Sequence, residues 1–163
     1  GNRYLIIAAD GPRMKSLDGI AELAGILNET VGALTEHDMF TGYHAHAFDA
    51  ADVEGTPAWF RLFGQVAPEV VMQMDVGNYF SGDGDPIAAM RAFPNRARTV
   101  HVKDRNAPEE GAIGQGEAPV MEFLELCADL HATEWYVVEE CAPGGLGFEV
   151  VARAYNALCG LMG

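Results

Sequence analysis

The stretch Thr99-Val100-His101-Val102-Lys103-Asp104, broken at once by Arg105-Asn106-Ala107-Pro108, decides how the rest of the chain is read. It is rich in β-branched residues and carries polar side chains at alternate positions. As a strand it puts His101 and Lys103 on one face and Val100, Val102 and Asp104 on the other. Working outward, three more apolar runs end in ionisable groups. Val70-Val71-Met72-Gln73-Met74 runs into Asp75, Trp135-Tyr136-Val137-Val138 into Glu139-Glu140, and Phe40-Thr41-Gly42-Tyr43 into His44 and His46. One such ending says little. Four of them, in a chain that alternates strand and helix, point to a single site.

The remaining segments supply that alternation. Tyr4-Leu5-Ile6-Ile7-Ala8-Ala9 has the pattern of a buried strand, stopped by Asp10-Gly11-Pro12. Ser16 is placed to cap a helix over about 17–36 that carries Leu17, Ile20, Ala21, Ala24, Leu27 and Val31, although Gly19 stands where a capping-box acid would be. Residues 52–56 read as a turn, and Pro57 opens a helix with Trp59, Phe60, Leu62 and Phe63 that runs to about residue 66. Residues 77–85, rich in Gly and Asp, are expected to form a loop. Pro86 starts a helix that Pro94-Asn95 ends. A long polar loop over 105–118 contains Gly114-Gln115-Gly116, and a helix over about 119–130 follows with Val120, Phe123, Leu124 and Cys127 on one stripe. After the Trp135 strand come a Pro143-Gly144-Gly145 loop and a last helix with Phe148, Val151, Ala152, Tyr155 and Leu158.

Strands thus recur near residues 7, 43, 73, 101 and 137, each followed by a helix, which demands a parallel α/β sheet in one domain over 1–163. Ligands of such folds sit at the carboxyl ends of the strands, where the ionisable residues fall. Neither a GxGxxG nor a GxxxxGK[ST] pattern is present, so dinucleotide and P-loop readings lose their main support. The chain has 163 residues, 49% apolar and 21% charged, with a net charge of −14. That charge argues against a nucleic-acid or anionic-membrane partner, and most of it is expected to be a solvated acidic surface. Cys127, Cys141 and Cys159 are widely spaced without a CxxC, which points to reduced thiols in a cytoplasmic protein and to no structural zinc. No secretory signal or membrane-spanning run is visible.

Six motifs then fall in a familiar order: Tyr43-His44-Ala45-His46-Ala47-Phe48-Asp49, Met74-Asp75-Val76-Gly77-Asn78, Gly82-Asp83-Gly84-Asp85-Pro86, Val100-His101-Val102-Lys103-Asp104, Gly114-Gln115-Gly116 and Val138-Glu139. In this order and spacing, over essentially the whole chain, the sequence resembles the xylose isomerase-like TIM-barrel family of sugar phosphate isomerases, epimerases and inosose dehydratases. The resemblance implies a TIM (β/α)8 barrel present incompletely, as strands four to eight with their helices, with roughly a hundred residues of barrel unaccounted for. An arc of that kind has two edges and an open interior, so either further strands or a second copy of the chain is expected to cover it.

The resemblance also implies one divalent metal, Mn²⁺, Mg²⁺, Co²⁺ or Zn²⁺, held by Asp75, His101, Glu139 and Asp49, where Asp49 stands in place of the more usual Glu. Carboxylate oxygens and an imidazole suit such ions, and open positions can chelate adjacent hydroxyl and carbonyl oxygens of a substrate. Glu139 and Asp49 would then move the proton on the carbon between them. His44, His46, Lys103 and Asn78 are expected to contact substrate, with His46 an alternative to Asp49 as fourth ligand. Each residue also has a plainer reading: Asp75 as the cap of a turn before Gly77, His101 as a satisfied core histidine, Glu140 in place of Glu139. Asn78, Ala45 and Ala47 depart from the common family pattern. The implied substrate is a small keto-sugar or polyol, with isomerisation or epimerisation as the reaction. The alternatives are a keto-inositol dehydratase and a non-catalytic half-barrel that self-associates.

Overall fold

The computed structural model describes residues 1–140 and 147–163, so Cys141 and the expected Pro143-Gly144-Gly145 loop lie outside the described part. Strand β1 is Tyr4–Ile7. Helix α1, Leu17–Thr35, starts where Ser16 caps it by accepting the Gly19 N–H at 3.2 Å, so the hydroxyl cap works without the acid partner. Strand β2 is Phe40–His44, and a short antiparallel hairpin follows, β3 Asp52–Val53 and β4 Thr56–Pro57. Helix α2, Ala58–Phe63, begins behind Pro57. Strand β5 is Val71–Gln73, and helices α3, Val76–Ser81, and α4, Pro86–Ala92, come after it. Strand β6 is Thr99–Val102, helix α5 Val120–Leu130, strand β7 Trp135–Val138 and helix α6 Gly147–Met162.

The expectation of a loop over 77–85 is corrected by α3. Asp75 accepts the Asn78 backbone N–H at 2.7 Å and caps a helix that runs through Gly77. Gly77 is needed there for space, because a Cβ would come within 2.5 Å of the Lys103 carbonyl oxygen. The turn expected over 52–56 is the tip of the β3–β4 hairpin, closed by a 2.9 Å bond from the Gly55 N–H to Asp52 Oδ1.

All three long-range strand pairings, and the bridge that links them, are parallel. The order is β1-β2-β5 in one sheet and β6-β7 in another, and the two sheets join where the His101 N–H donates to Met74 O at 2.9 Å and Asp75 bridges His101. Each new strand is thus added on the same side of the last, as in a barrel wall and unlike a doubly wound sheet, whose order reverses. Strand alternation divides the side chains as the sequence predicts. Val100 and Val102 are fully buried toward the helices among Tyr43, Met72, Trp59 and Phe123, while His101 faces the concave side. Burying aliphatic and aromatic side chains of this size contributes about 1.5–3 kcal/mol each.

Helix α5 buries the expected stripe of Val120, Phe123, Leu124 and Cys127. Helix α6 is rotated from its expected stripe. Val150, Ala154 and Leu158 are buried, while Phe148 (95% exposed), Val151 and Tyr155 face outward. The physical reason is the 105–118 loop, which fills the inner side of α6: Gly111 and Gly114 lie against Val150, Ala154 and Leu161. No helix among the described residues is long and apolar enough to cross a membrane.

Candidate metal centre

The carboxyl ends of four adjacent strands bring their ionisable side chains to one point. His44 ends β2, Asp75 lies two residues past β5, His101 is the third residue of β6, and Glu139 follows β7 directly. One ligand atom from each of these four lies within 4.8 Å of the others. Glu139 Oε2 is 2.8 Å from His101 Nδ1 and 3.5 Å from His44 Nε2, and His101 Nδ1 is 4.0 Å from Asp75 Oδ2. The His44 and His101 rings pack with centroids 4.3 Å apart.

The electrostatics follow from burial and from these contacts. Asp75 has no exposed surface, and burial raises its carboxyl to about 7. Burial, followed by the neighbouring charge of His101, lowers His44 to about 4, so it is a neutral imidazole with lone pairs at neutral pH. Glu139 goes the other way: its hydrogen bond with His101, aided by Lys103 and Asn78, holds it well below the usual carboxylate range. Lys103 Nζ donates to Glu139 Oε1 at 3.0 Å. The donor set suits a divalent cation: two carboxylates and two imidazoles, at separations near the 3–4.4 Å that ligand distances of about 2.0–2.2 Å impose. A cation would also add positive charge beside buried Asp75, to which His101 Nδ1 comes no nearer than 4.0 Å.

Three of the four residues implied as ligands, Asp75, His101 and Glu139, are brought together, and Glu139 rather than Glu140 turns inward beside Val137. Asp49 is placed elsewhere. It lies in a turn over Ala47–Ala50 with no exposed surface, where its oxygens accept Tyr43 Oη–H at 3.1 Å and the His46 N–H at 2.7 Å. Burial raises its carboxyl to about 7. The place beside the cluster belongs instead to His44, which was read as a substrate contact. The only sequence signal for it was that His44 and His46 share one strand face, and that does not say which of them reaches the cluster. His46 stands on the wall of the adjacent cavity with its ring edge on His44 and stacked on Phe48. This cavity, about 320 Å³, is lined by His44, His46, His101, Glu139, Gln73 and Ile6 among others. Lys103 and Asn78 are engaged with the carboxylates. Asn78 Nδ2 donates to Asp75 Oδ2 at 2.9 Å and to Glu139 Oε1 at 3.1 Å.

A parallel βα wall with carboxylates and imidazoles converging at its carboxyl edge defines a barrel-type fold with a candidate metal centre, and comparison with known proteins narrows the fold further. No family model matches the chain, and no curated protein sequence does. Solved structures do. A sugar phosphate isomerase/epimerase from Parabacteroides distasonis is similar with a TM-score of 0.82 at 20% identity, over 96% of this chain and 59% of that one. A xylose isomerase domain protein from Planctomyces limnophilus gives 0.68 at 18% identity, over 98% and 58%. The IOLI protein, solved with a bound zinc atom, gives 0.66 at 12% identity, over 98% and 63%. The chain therefore shares the fold of these solved structures, and it spans about three fifths of their length.

Proposed function

We propose that the chain carries the metal-binding wall of a sugar isomerase or epimerase of the xylose isomerase-like type, with His44, Asp75, His101 and Glu139 as ligands of one divalent ion. The observation that carries this reading is the convergence of those four side chains from four successive strands onto one point, within 4.8 Å. The zinc in the IOLI structure supports it. When bound, the ion would polarise the adjacent oxygens of a keto-sugar or polyol and make the carbon between them more acidic.

The chain's own groups do the rest. Glu139 stays ionised because His101, Lys103 and Asn78 all bond to it, so it can accept a proton from that carbon. The Lys103 ammonium, held at Glu139, can donate toward the substrate oxygen on which negative charge develops. His46 lines the cavity, whereas Asp49 has no exposed surface and accepts the His46 backbone N–H. The second proton-transfer role is therefore assigned to His46 rather than Asp49. The test is solvent deuterium exchange. With Mn²⁺ present, a panel of ketoses and inososes in D₂O is followed by NMR. Exchange beside the carbonyl that is lost in Glu139→Gln supports the reading, and its absence from every substrate opposes it. Loss of water from an inosose would place the reaction with the dehydratases instead.

A specific observation also favours reading the wall as strands four to eight of an eight-stranded barrel, which needs a covering element. The concave side holds a second, larger cavity of about 830 Å³, lined by Tyr4, Gln73, Thr99, Glu134, Trp135 and Val137. Trp135 is 62% exposed and Leu5 55% exposed at the two edge strands. Apolar surface of that kind at unpaired edges is a docking liability in an isolated arc. Further barrel strands or a second copy of this chain would bury it, and molar mass by light scattering tells the two situations apart. In the first, activity needs the additional strands. In the second, the dimer is the active species.

A further inference from the structure

Asn78 stands three residues after Asp75, on the first turn of α3, and its hydrogen bonds divide into two kinds. Its backbone N–H caps α3 by donating to Asp75 Oδ1 at 2.7 Å, a bond that any residue but proline would make. Its side-chain Nδ2 donates to Asp75 Oδ2 at 2.9 Å and to Glu139 Oε1 at 3.1 Å, joining carboxylates that follow β5 and β7, strands with β6 between them, 64 positions apart in the sequence. An amide nitrogen has two hydrogens, and both are directed at carboxylate oxygens.

We propose that Asn78 is a positioning residue for the candidate metal centre: its amide fixes the separation and rotation of the Asp75 and Glu139 carboxylates so that Asp75 Oδ2 and Glu139 Oε2, the oxygens nearest His101, meet a cation as a prearranged pair. This rests on the metal-binding reading above. Chemistry explains why an amide suits the task. It is neutral at every pH and so adds no charge of its own to the pair, and one nitrogen can hold two acceptors at once. A histidine would offer only one hydrogen at each ring nitrogen. An aspartate would offer none, and would add a third negative charge. Groups that orient metal ligands in this way typically change metal affinity by about 10–100-fold when removed.

The cap and the clamp can be separated, because Asn78→Ala keeps the backbone donor and loses only the amide. The experiment titrates Co²⁺ into the chain and into Asn78→Ala, following the visible absorption of the ion, and melts both proteins without metal. The expected result is Co²⁺ binding by the parent chain, about 10–100-fold weaker binding by Asn78→Ala with a changed absorption envelope, and metal-free melting temperatures close to each other. Equal affinity and an identical spectrum would overturn the positioning role while leaving the metal site intact. A weakened site accompanied by a matching collapse of the metal-free melting temperature would overturn it in favour of a structural role. Failure of the parent chain to bind Co²⁺ at all would remove the metal-binding reading itself, and the positioning role with it.

Discussion

Asp75 does two jobs with one carboxylate: Oδ1 caps α3, while Oδ2 faces the cluster near His101 and Asn78. Asparagine at this position retains a capping oxygen and removes the charge. Asp75→Asn is therefore expected to melt, without metal, within a few degrees of the parent, because relief of a buried charge offsets the poorer contact to Asn78. Its Mn²⁺ affinity by calorimetry falls more than about 100-fold, beyond what loss of an outer partner costs. Asp49 gives a second prediction, through pH. Burial raises its folded value to about 7 from an ordinary 3.8, so folding favours its protonated form. Its contribution to stability is whole below about pH 4 and is lost as pH rises through about 7. Relative to Asp49→Asn, which cannot ionise, the parent should lose melting temperature steadily between about pH 4 and pH 7. A constant difference across that range would contradict it. Residues of this kind also mark the limit of reading the sequence. The ligand face of His101 and the choice of Glu139 over Glu140 follow from strand alternation, whereas Asp49 was displaced by a short turn after His46 that no local pattern announces.

At the scale of elements, the strand ends were legible because four apolar runs stop at polar residues, and parallel βα winding follows from their spacing. Helix α3 was not, since six residues with a glycine inside are too short for a helical period to register. Its one sequence mark was the Asp75-x-x-Asn78 cap. The buried stripe of α6 departs from its sequence pattern for a related reason: which side of an amphipathic helix is buried depends on the loop that packs beneath it. That loop has an organiser. Asp104, on the face opposite His101, accepts the backbone N–H groups of Arg105 and Ala118 at Oδ1 and of Gly114 and Gly116 at Oδ2, at 2.7–3.2 Å. Gly114 has φ +85°, and a Cβ at Gly116 would collide with Arg105 O and with Asp104 itself. Hydrogen bonds to a charged acceptor contribute about 1.5–3 kcal/mol each before partial replacement by water. Asp104→Ala should thus lower the melting temperature by more than about 4 °C, and hydrogen exchange over 105–118 should become fast while α1 is unaffected. Unchanged protection of the loop would show that Asp104 does not hold it.

For the whole molecule, the described residues bury the helix-facing side of the sheet in the core and leave cavities on its other side. Trp59 has no exposed surface whereas Trp135 is 62% exposed, and these are the chain's two tryptophans. In a sample whose mass is that of one chain, about half of the tryptophan emission should be quenched by iodide. Protection of both indoles in a monomer would contradict an open interior, and protection that appears only in a dimer would identify a second copy as the cover. Net charge of −14 works against close self-association, and salt that screens it should shift the balance toward the dimer. Above all, the molecule is read as a scaffold that carries four side chains to one cation. That is tested most directly by titrating Mn²⁺ calorimetrically into the chain and into His101→Ala, with the mass of each sample fixed by light scattering. One ion bound tightly per chain, and lost with His101, is the expected result. No binding, or binding indifferent to His101, would contradict the metal centre and leave a βα arc whose concave face serves association alone.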